Sequence, residues 1–327
     1  MKILSLLFLV TLLFVNSFNS QDPVAQEPPE LQEASTLSES IVKLFNQGKY
    51  DEALPLAKRA LEIREKLLPR VDPRISSSLT NLGEIYLARK DYKPAKETFQ
   101  RLLQIQEEVF GPEDVNLAFT LDRLALLHFA ARNARETEAA YKRALALREK
   151  SLGPDDPQVA QSWFNLGEYY RFERRLEPAM ESYRRALNIY GRLGESQNAD
   201  FERASEGFEC LAYDHDKSEL FKELKDIRKQ FAGPNAPEPG TILNGRALSL
   251  PKPEFSRTPA ERGRAVEVVV KVEIDETGNV ISAVDMCKRS PYLSAAAVAA
   301  ARKARFSPTL LRGQPVKVKG IIRYSFR

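Results

Sequence analysis

The chain of 327 residues is longer than one ordinary domain, so two folded units with connecting pieces are expected. Its two Cys exclude a disulfide-stapled mini-domain and a four-Cys zinc site, and its two His leave no basis for a His-rich metal centre. The net charge of +4 hides an asymmetry: residues 1–246 carry 34 Lys and Arg against 38 Asp and Glu, a balance of −4, whereas 247–327 carry 15 against 7, a balance of +8. The C-terminal piece is thus a different kind of surface, suited either to an acidic partner or simply to solubility.

Lys2 precedes an apolar run from Ile3 to Val15 broken only by Ser5 and Thr11, and the small residues Ser17 and Ser20 follow. This is the pattern of an export signal over residues 1–20. The run falls short of the roughly 20 apolar residues of a membrane helix, so a periplasmic location is expected. The alternative is an uncleaved N-terminus anchored in the inner membrane and facing the periplasm, with membrane contact only in that case. Residues 21–35, with Pro23, Pro28, Pro29 and several acids, read as a flexible segment.

A repeat of 42 residues fills the middle. Leu61, Leu103, Leu145 and Leu187 keep that interval, as do Ala53, Ala95, Thr137 and Ala179. Asn81-Leu82-Gly83 with Tyr86 recurs as Asn165-Leu166-Gly167 with Tyr170, and Arg123-Leu124-Ala125 is a drifted middle copy. Apolar spacing within each copy is helical, so each is a helix pair with one buried face that must stack on its neighbours. Gly and Pro in Phe110-Gly111-Pro112 and Leu152-Gly153-Pro154 end one helix, and the acids after them cap the next.

These copies resemble tetratricopeptide repeats of the 42-residue, kinesin light chain type. The resemblance covers residues 36–231, with Asn198 to Phe231 losing the pattern and reading as a capping helix pair. It implies an all-α solenoid whose first helices line a groove for an extended or helical partner segment. Carried onto this sequence, the groove residues are Thr80, Asn81, Glu84, Asp122, Arg123, Phe164, Asn165, Glu168 and Arg171.

Residues 232–246 hold three Pro and three Gly and read as a linker. From 247 the period changes to two. Val266, Val268, Val270, Val272 and Ile274 alternate with Glu267, Val269, Lys271, Glu273 and Asp275, which predicts a half-buried strand. Glu276-Thr277-Gly278-Asn279 signals a hairpin, Val280 to Cys287 the returning strand, Pro291 to Arg305 a helix, and Val316 to Phe326 a third strand.

This order, with Leu250-Pro251-Lys252-Pro253-Glu254-Phe255, an Asp-x-x-Gly-x-Val at Asp275 to Val280, Arg305-Phe306-Ser307-Pro308 and Gly313-Gln314-Pro315-Val316, resembles the C-terminal domain of TonB-type energy transducers. The resemblance covers 247–327. It implies a small α+β domain, a three-stranded antiparallel sheet with two helices, that binds a partner by strand addition. The edge assigned to that role is Val318, Gly320, Ile322, Tyr324 and Phe326. A transducer also has a membrane helix and a long Pro-rich spacer, where this chain has a short apolar segment and helical repeats.

No catalytic pattern emerges. Neither His128 nor His215 lies in an H-E-x-x-H motif, no G-x-S-x-G elbow occurs, and Gly240 to Gly245 is followed by Arg246-Ala247 where a phosphate loop requires Lys and Ser or Thr. Asp214, Asp216 and Glu219 read as a helix-start cap rather than a cation site, and Cys210 and Cys287 lie in different domains, where an interdomain disulfide is open to them. The expectation is a multidomain, non-enzymatic exported scaffold without cofactor or metal. Its partners are protein or peptide segments, among them outer-membrane or other envelope proteins, and not nucleic acid. The alternative is a TonB-like transducer retained in the inner membrane and coupling to outer-membrane transporters.

Overall fold

The computed structural model describes residues 27–194, 198–215, 217–231, 246–254, 266–287, 291–311 and 313–326. The expected signal over 1–20, the linker up to residue 245 and a short helix expected after Phe255 lie outside them. Two compact units divide after Lys90.

The first unit contains α1 (Pro29–Asn46), α2 (Tyr50–Leu67) and α3 (Pro73–Ala88). Helix α1 begins before residue 36, where the solenoid was expected to start. Pro29 suits the first helical turn, whose N–H groups have no partner in the helix, and Leu31 and Ala34 are buried. Residues 29–35 are therefore helix and not a flexible tail.

The second unit contains α4 (Tyr92–Phe110), a 3-10 turn (Val115–Leu117) leading into α5 (Ala118–Ala130), α6 (Ala134–Leu152), α7 (Pro157–Phe172), α8 (Leu176–Leu193), α9 (Asn198–Asp214) and α10 (Ser218–Phe231). Three sets of residues at the 42-residue interval show how the sequence builds each copy. Asp72, Asp114 and Asp156 cap the next helix, each carboxylate accepting the backbone N–H two residues on at 2.9, 2.8 and 2.7 Å. Polar ties join the second helix of a pair to the first helix of the next. Arg64 donates to Ser78 at 2.7 Å, Thr120 donates to Gln106 at 2.7 Å, and Arg148 donates to Ser162 at 2.6 Å.

The third set closes the turn inside each pair with a left-handed residue: Gly48, Lys90, Arg132 and Arg174 have φ of 74°, 66°, 61° and 57°. Non-glycine residues tolerate this region at a cost of about 1–2 kcal/mol. The connector Gly153 is stricter, at φ 86° and ψ 162°, a region occupied essentially by glycine alone. Gly153→Ala is expected to lower stability by about 1–3 kcal/mol. Arg132→Gly should leave it unchanged or raise it by at most about 1 kcal/mol, because relieved strain is offset by glycine's freedom when unfolded. Urea midpoints of the two variants check the contrast.

The C-terminal part of this unit contains β1 (Ala247–Ser249), β2 (Val266–Ile274), β3 (Val280–Asp285), α11 (Pro291–Arg302), β4 (Arg305–Phe306), β5 (Leu310–Leu311), β6 (Gln314–Pro315) and β7 (Val318–Phe326). The main sheet is antiparallel in the order β3-β2-β7, and β1-β4 and β5-β6 form two small ladders. The alternation of β2 is realised on its inner face, where Val268, Val270, Val272 and Ile274 pack with Ile322 and Phe326 against Leu293, Ala297 and Ala301 of α11. The alanines of α11 let helix and sheet approach closely, which accounts for the Ala-rich stretch.

The β2–β3 turn explains the Asp-x-x-Gly spacing. Asp275 accepts from the backbone N–H groups of Thr277 and Asn279 at 2.9 and 2.8 Å and from both their side chains. The Thr277 hydroxyl and these amides hold its carboxyl down at about 2. Gly278 has φ 90°, and a Cβ there would lie 1.8 Å from the carbonyl oxygen of Phe306, so no side chain fits. Its own carbonyl accepts from the N–H of Phe306 at 2.9 Å, tying the hairpin to β4.

Candidate partner-binding site

Thr80, Asn81 and Glu84 stand half-buried on α3 in the first unit, and the Thr80 hydroxyl donates to the carbonyl of Ser76 at 2.9 Å. The other nominated groove residues lie in the second unit. Arg123 of α5 is half-buried with its guanidinium over the ring of Phe119 at 4.6 Å. Asp122 is different: it is 7% exposed and pairs with Arg148 at 2.7 Å. Its side chain joins α5 to α6 and is not presented to a partner, a correction to the groove set. The resemblance carried Asp122 into the groove beside Arg123, but its carboxylate turns to Arg148 on the next helix.

Helix α7 supplies Phe164, Asn165, Glu168 and Arg171. Asn165 accepts from Gln161 at 2.8 Å. Glu168 accepts from the hydroxyl of buried Tyr183 and from Arg171 at 3.0 Å, and Arg171 also donates to Asp214 at 3.2 Å. Burial opposes the charge of Arg171, yet Glu168 and Asp214 hold it well above the usual guanidinium range. Burial, reinforced by the neighbouring Glu168, raises the Tyr183 hydroxyl well above the ordinary range of tyrosine. Arg171 and Tyr183 therefore each keep one protonation state at neutral pH. Asp214 ends α9 and accepts from Arg171; Asp216 lies outside the described residues.

The periodicity continues further than the sequence pattern suggested. Arg203, Glu206, Gly207, Cys210 and Tyr213 of α9 stand 42 residues on from Gln161, Phe164, Asn165, Glu168 and Arg171. A Cβ on Gly207 would lie 2.6 Å from the Tyr183 ring, which is why α9 can sit so close to the α7–α8 pair. Arg203 stacks over Phe164 at 4.8 Å. Arg203, Glu206 and Gly207 were missed because the Asn-Leu-Gly and Tyr-Ala-Leu landmarks stop at α8; the 42-residue interval itself was the available signal.

The outer face of the C-terminal sheet meets the same helix. Cys210 and Cys287 form a disulfide with Cα atoms 5.4 Å apart, both residues buried. Val269, on the side of β2 that alternation assigned to solvent, is fully buried against this bond. Lys271 pairs with Glu206, and Arg323 lies over the Tyr213 ring at 4.6 Å. Between them is a cavity of about 490 Å³, walled on one side by Phe164, Glu168, Arg171, Arg203 and Glu206 and on the other by Lys271, Glu273, Val284, Asp285 and Lys319. Three nominated groove residues and the sheet thus share one concave surface of ligand-binding size. Val284 of β3 is 54% exposed there.

At the opposite edge, β7 pairs with β2 from Val318 opposite Ile274 to Phe326 opposite Val266, and among the described residues no strand lies on its other side. Val318 and Gly320 are half-buried, and Ile322, Tyr324 and Phe326 are buried; the Tyr324 hydroxyl has no partner among the described residues.

The sequence profile of the tetratricopeptide repeat family matches residues 33–108, 74–150 and 116–192, and that of the Gram-negative bacterial TonB protein C-terminal domain matches residues 251–327. The chain joins tetratricopeptide repeats to a TonB C-terminal domain. Among solved structures it is similar to kinesin light chain nearly identical TPR-like repeats of Podosopora anserina, at 18% identity and a TM-score of 0.53 over 63% of this chain and 97% of that one. BtubC (BKLC) from P. vanneervenii is similar at 19% identity and a TM-score of 0.52, over 66% and 96%. Both likenesses concern the fold of the repeats. Comparison with curated proteins returns no match.

Tetratricopeptide repeats and TonB C-terminal domains are non-catalytic protein-interaction folds, and the TonB match points to the Gram-negative envelope. Among the described residues, no helix is long and apolar enough to cross a membrane and no group of three or more His, Cys, Asp or Glu could hold a metal ion.

Proposed function

We propose that this protein is a non-enzymatic periplasmic adaptor. It holds a segment of one partner on the first helices of its repeats and a second partner by strand addition to β7. The observation that carries the reading is a TonB C-terminal domain whose β7 has no strand on its outer side among the described residues, bonded through Cys210–Cys287 to a helix that continues the repeat register. The proposed contacts are Thr80, Asn81 and Glu84 on the first unit and, separately, Arg123, Phe164, Asn165, Glu168 and Arg171 on the second, and the edge runs through Val318, Gly320, Ile322, Tyr324 and Phe326. The disulfide supports export, since such bonds persist in oxidising compartments. Two sites in one chain raise the effective concentration of the second contact without new chemistry.

The test is the N-terminal mass of the protein made in a Gram-negative cell, with its partition between periplasmic and membrane fractions. A processed, soluble form beginning near Phe18 or Gln21 is the expected result. An intact Met1 in the inner membrane would replace the adaptor with an energy transducer.

A further inference from the structure

We propose that the β7 edge selects an extended acidic segment whose outward side chains run acid, apolar, acid at alternate positions. The inference rests on strand addition at β7 and names the partner that this edge fits. Alternation along β7 sorts its side chains: Ile322, Tyr324 and Phe326 turn to the core, while Lys319, Ile321, Arg323 and Ser325 are exposed on the opposite face. A strand laid along the side of β7 that no described strand occupies would bring its own outward side chains beside these, close enough for direct pairing. What it meets is a cation, an aliphatic residue that is 42% exposed, and a second cation.

The two cations are not equivalent on the side already occupied. Lys319 stands opposite Glu273 of β2, but Arg323 stands opposite Val269, which carries no charge. Arg323 is also held over the Tyr213 ring at 4.6 Å, so its guanidinium is oriented before any partner arrives. The +8 balance of residues 247–327 acts in the same direction at longer range, drawing an acidic segment toward the domain.

The same charges disfavour a second copy of this chain. Antiparallel pairing of β7 with itself about Ile321 sets Lys319 against Arg323 twice, and like charges directly opposite are destabilising. Charged side chains on an edge strand are a known defence against such self-pairing. They leave the edge open to a chain of opposite charge.

The experiment uses the full-length oxidised protein and a short fluorescent Thr-rich peptide carrying Glu, Val and Asp at alternate positions. Its comparators are the same peptide with Lys for both acids, with Gln for both acids, and with backbone N-methyl groups on the pairing side. Binding by anisotropy at low salt is expected to weaken on the order of tenfold from acid to Gln and further to Lys, and to vanish with N-methylation. Joint replacement Lys319→Glu with Arg323→Glu should reverse the order of the acidic and Lys peptides. The milder pair Lys319→Gln with Arg323→Gln should erase the difference, and serves if the first variant fails to fold. Equal affinity for the acidic, Gln and Lys peptides overturns the charge selection while leaving strand addition standing. Undiminished binding of the N-methylated peptide removes strand addition and the selection with it, as does no binding by any peptide.

Discussion

Replacing Cys210 and Cys287 by Ser is expected to free the TonB C-terminal domain from α9 while leaving both folds intact. The bond closes a loop with a sequence separation of 77, for which the chain-entropy account gives about 4 kcal/mol. The contacts that would remain reach at most a similar total. Burying Val269 contributes about 2 kcal/mol. The Lys271–Glu206 pair, with both side chains about one-third exposed, adds at most about 1 kcal/mol, and Arg323 over Tyr213 about 0.5–1 kcal/mol. Contacts of that total are largely offset by the freedom a tethered domain regains on release, so docked and undocked forms become comparably populated. Amide relaxation should show it directly: one rotational correlation time for α9 and β2 in the oxidised protein, and two in the double Ser variant. A single shared time in that variant would mean that the non-covalent contacts suffice and that the disulfide is not what couples the two modules. The coupling bears on the proposed groove, because the cavity beside Glu168 and Arg171 has one wall from each module and exists only while they are docked.

Local pattern and tertiary contact divide what is legible in the sequence from what is not. An antiparallel sheet with one face under a helix imposes period two, and Val268, Val270, Val272 and Ile274 state it openly. Repeats state themselves by interval, so the helix pairs and their caps follow from spacing alone. Val269 was also visible, as the one apolar residue on the polar side of β2, but nothing local says what covers it. Its partner Cys210 lies on a helix more than 50 residues earlier, and a contact of that kind leaves no periodic trace. The same limit explains Asp122. Its neighbours on α5 mark it as exposed, whereas its position is decided by Arg148 on the following helix. The nominated groove residues of α7 were placed on a concave surface by the resemblance to tetratricopeptide repeats; that the C-terminal sheet would stand opposite them required the fold.

Arg148 carries the second large expected effect. It is 7% exposed, pairs with Asp122 at 2.7 Å and donates to Ser162 at 2.6 Å, so one guanidinium joins α5, α6 and α7. Arg148→Met should lower stability by about 3–5 kcal/mol, because it leaves the Asp122 carboxylate buried without its cation. The pH dependence identifies the cause. Burial already holds the Asp122 carboxyl above its usual range in spite of Arg148. An acid whose folded pKa is raised binds its proton more tightly when folded, so its contribution falls as pH rises from the unfolded value, near 3.9, through the folded one. Without Arg148 the folded pKa climbs further, and the gap between variant and wild type should widen toward neutral pH and narrow toward pH 4. The double variant Asp122→Leu with Arg148→Met removes both charges. It should recover most of the loss or exceed wild type, since among the described residues one Asp122 oxygen and the Arg148 Nε already lack partners and Ser162 keeps its bond to the carbonyl of Gln158 at 3.1 Å. Urea midpoints across this pH range decide the matter: a single-variant loss below about 1 kcal/mol, or one that does not change with pH, would show that Asp122 is not held as a buried ion. The outcome reaches the proposed binding surface as well, because α7, which carries Phe164, Glu168 and Arg171, is positioned on α6 through this same arginine.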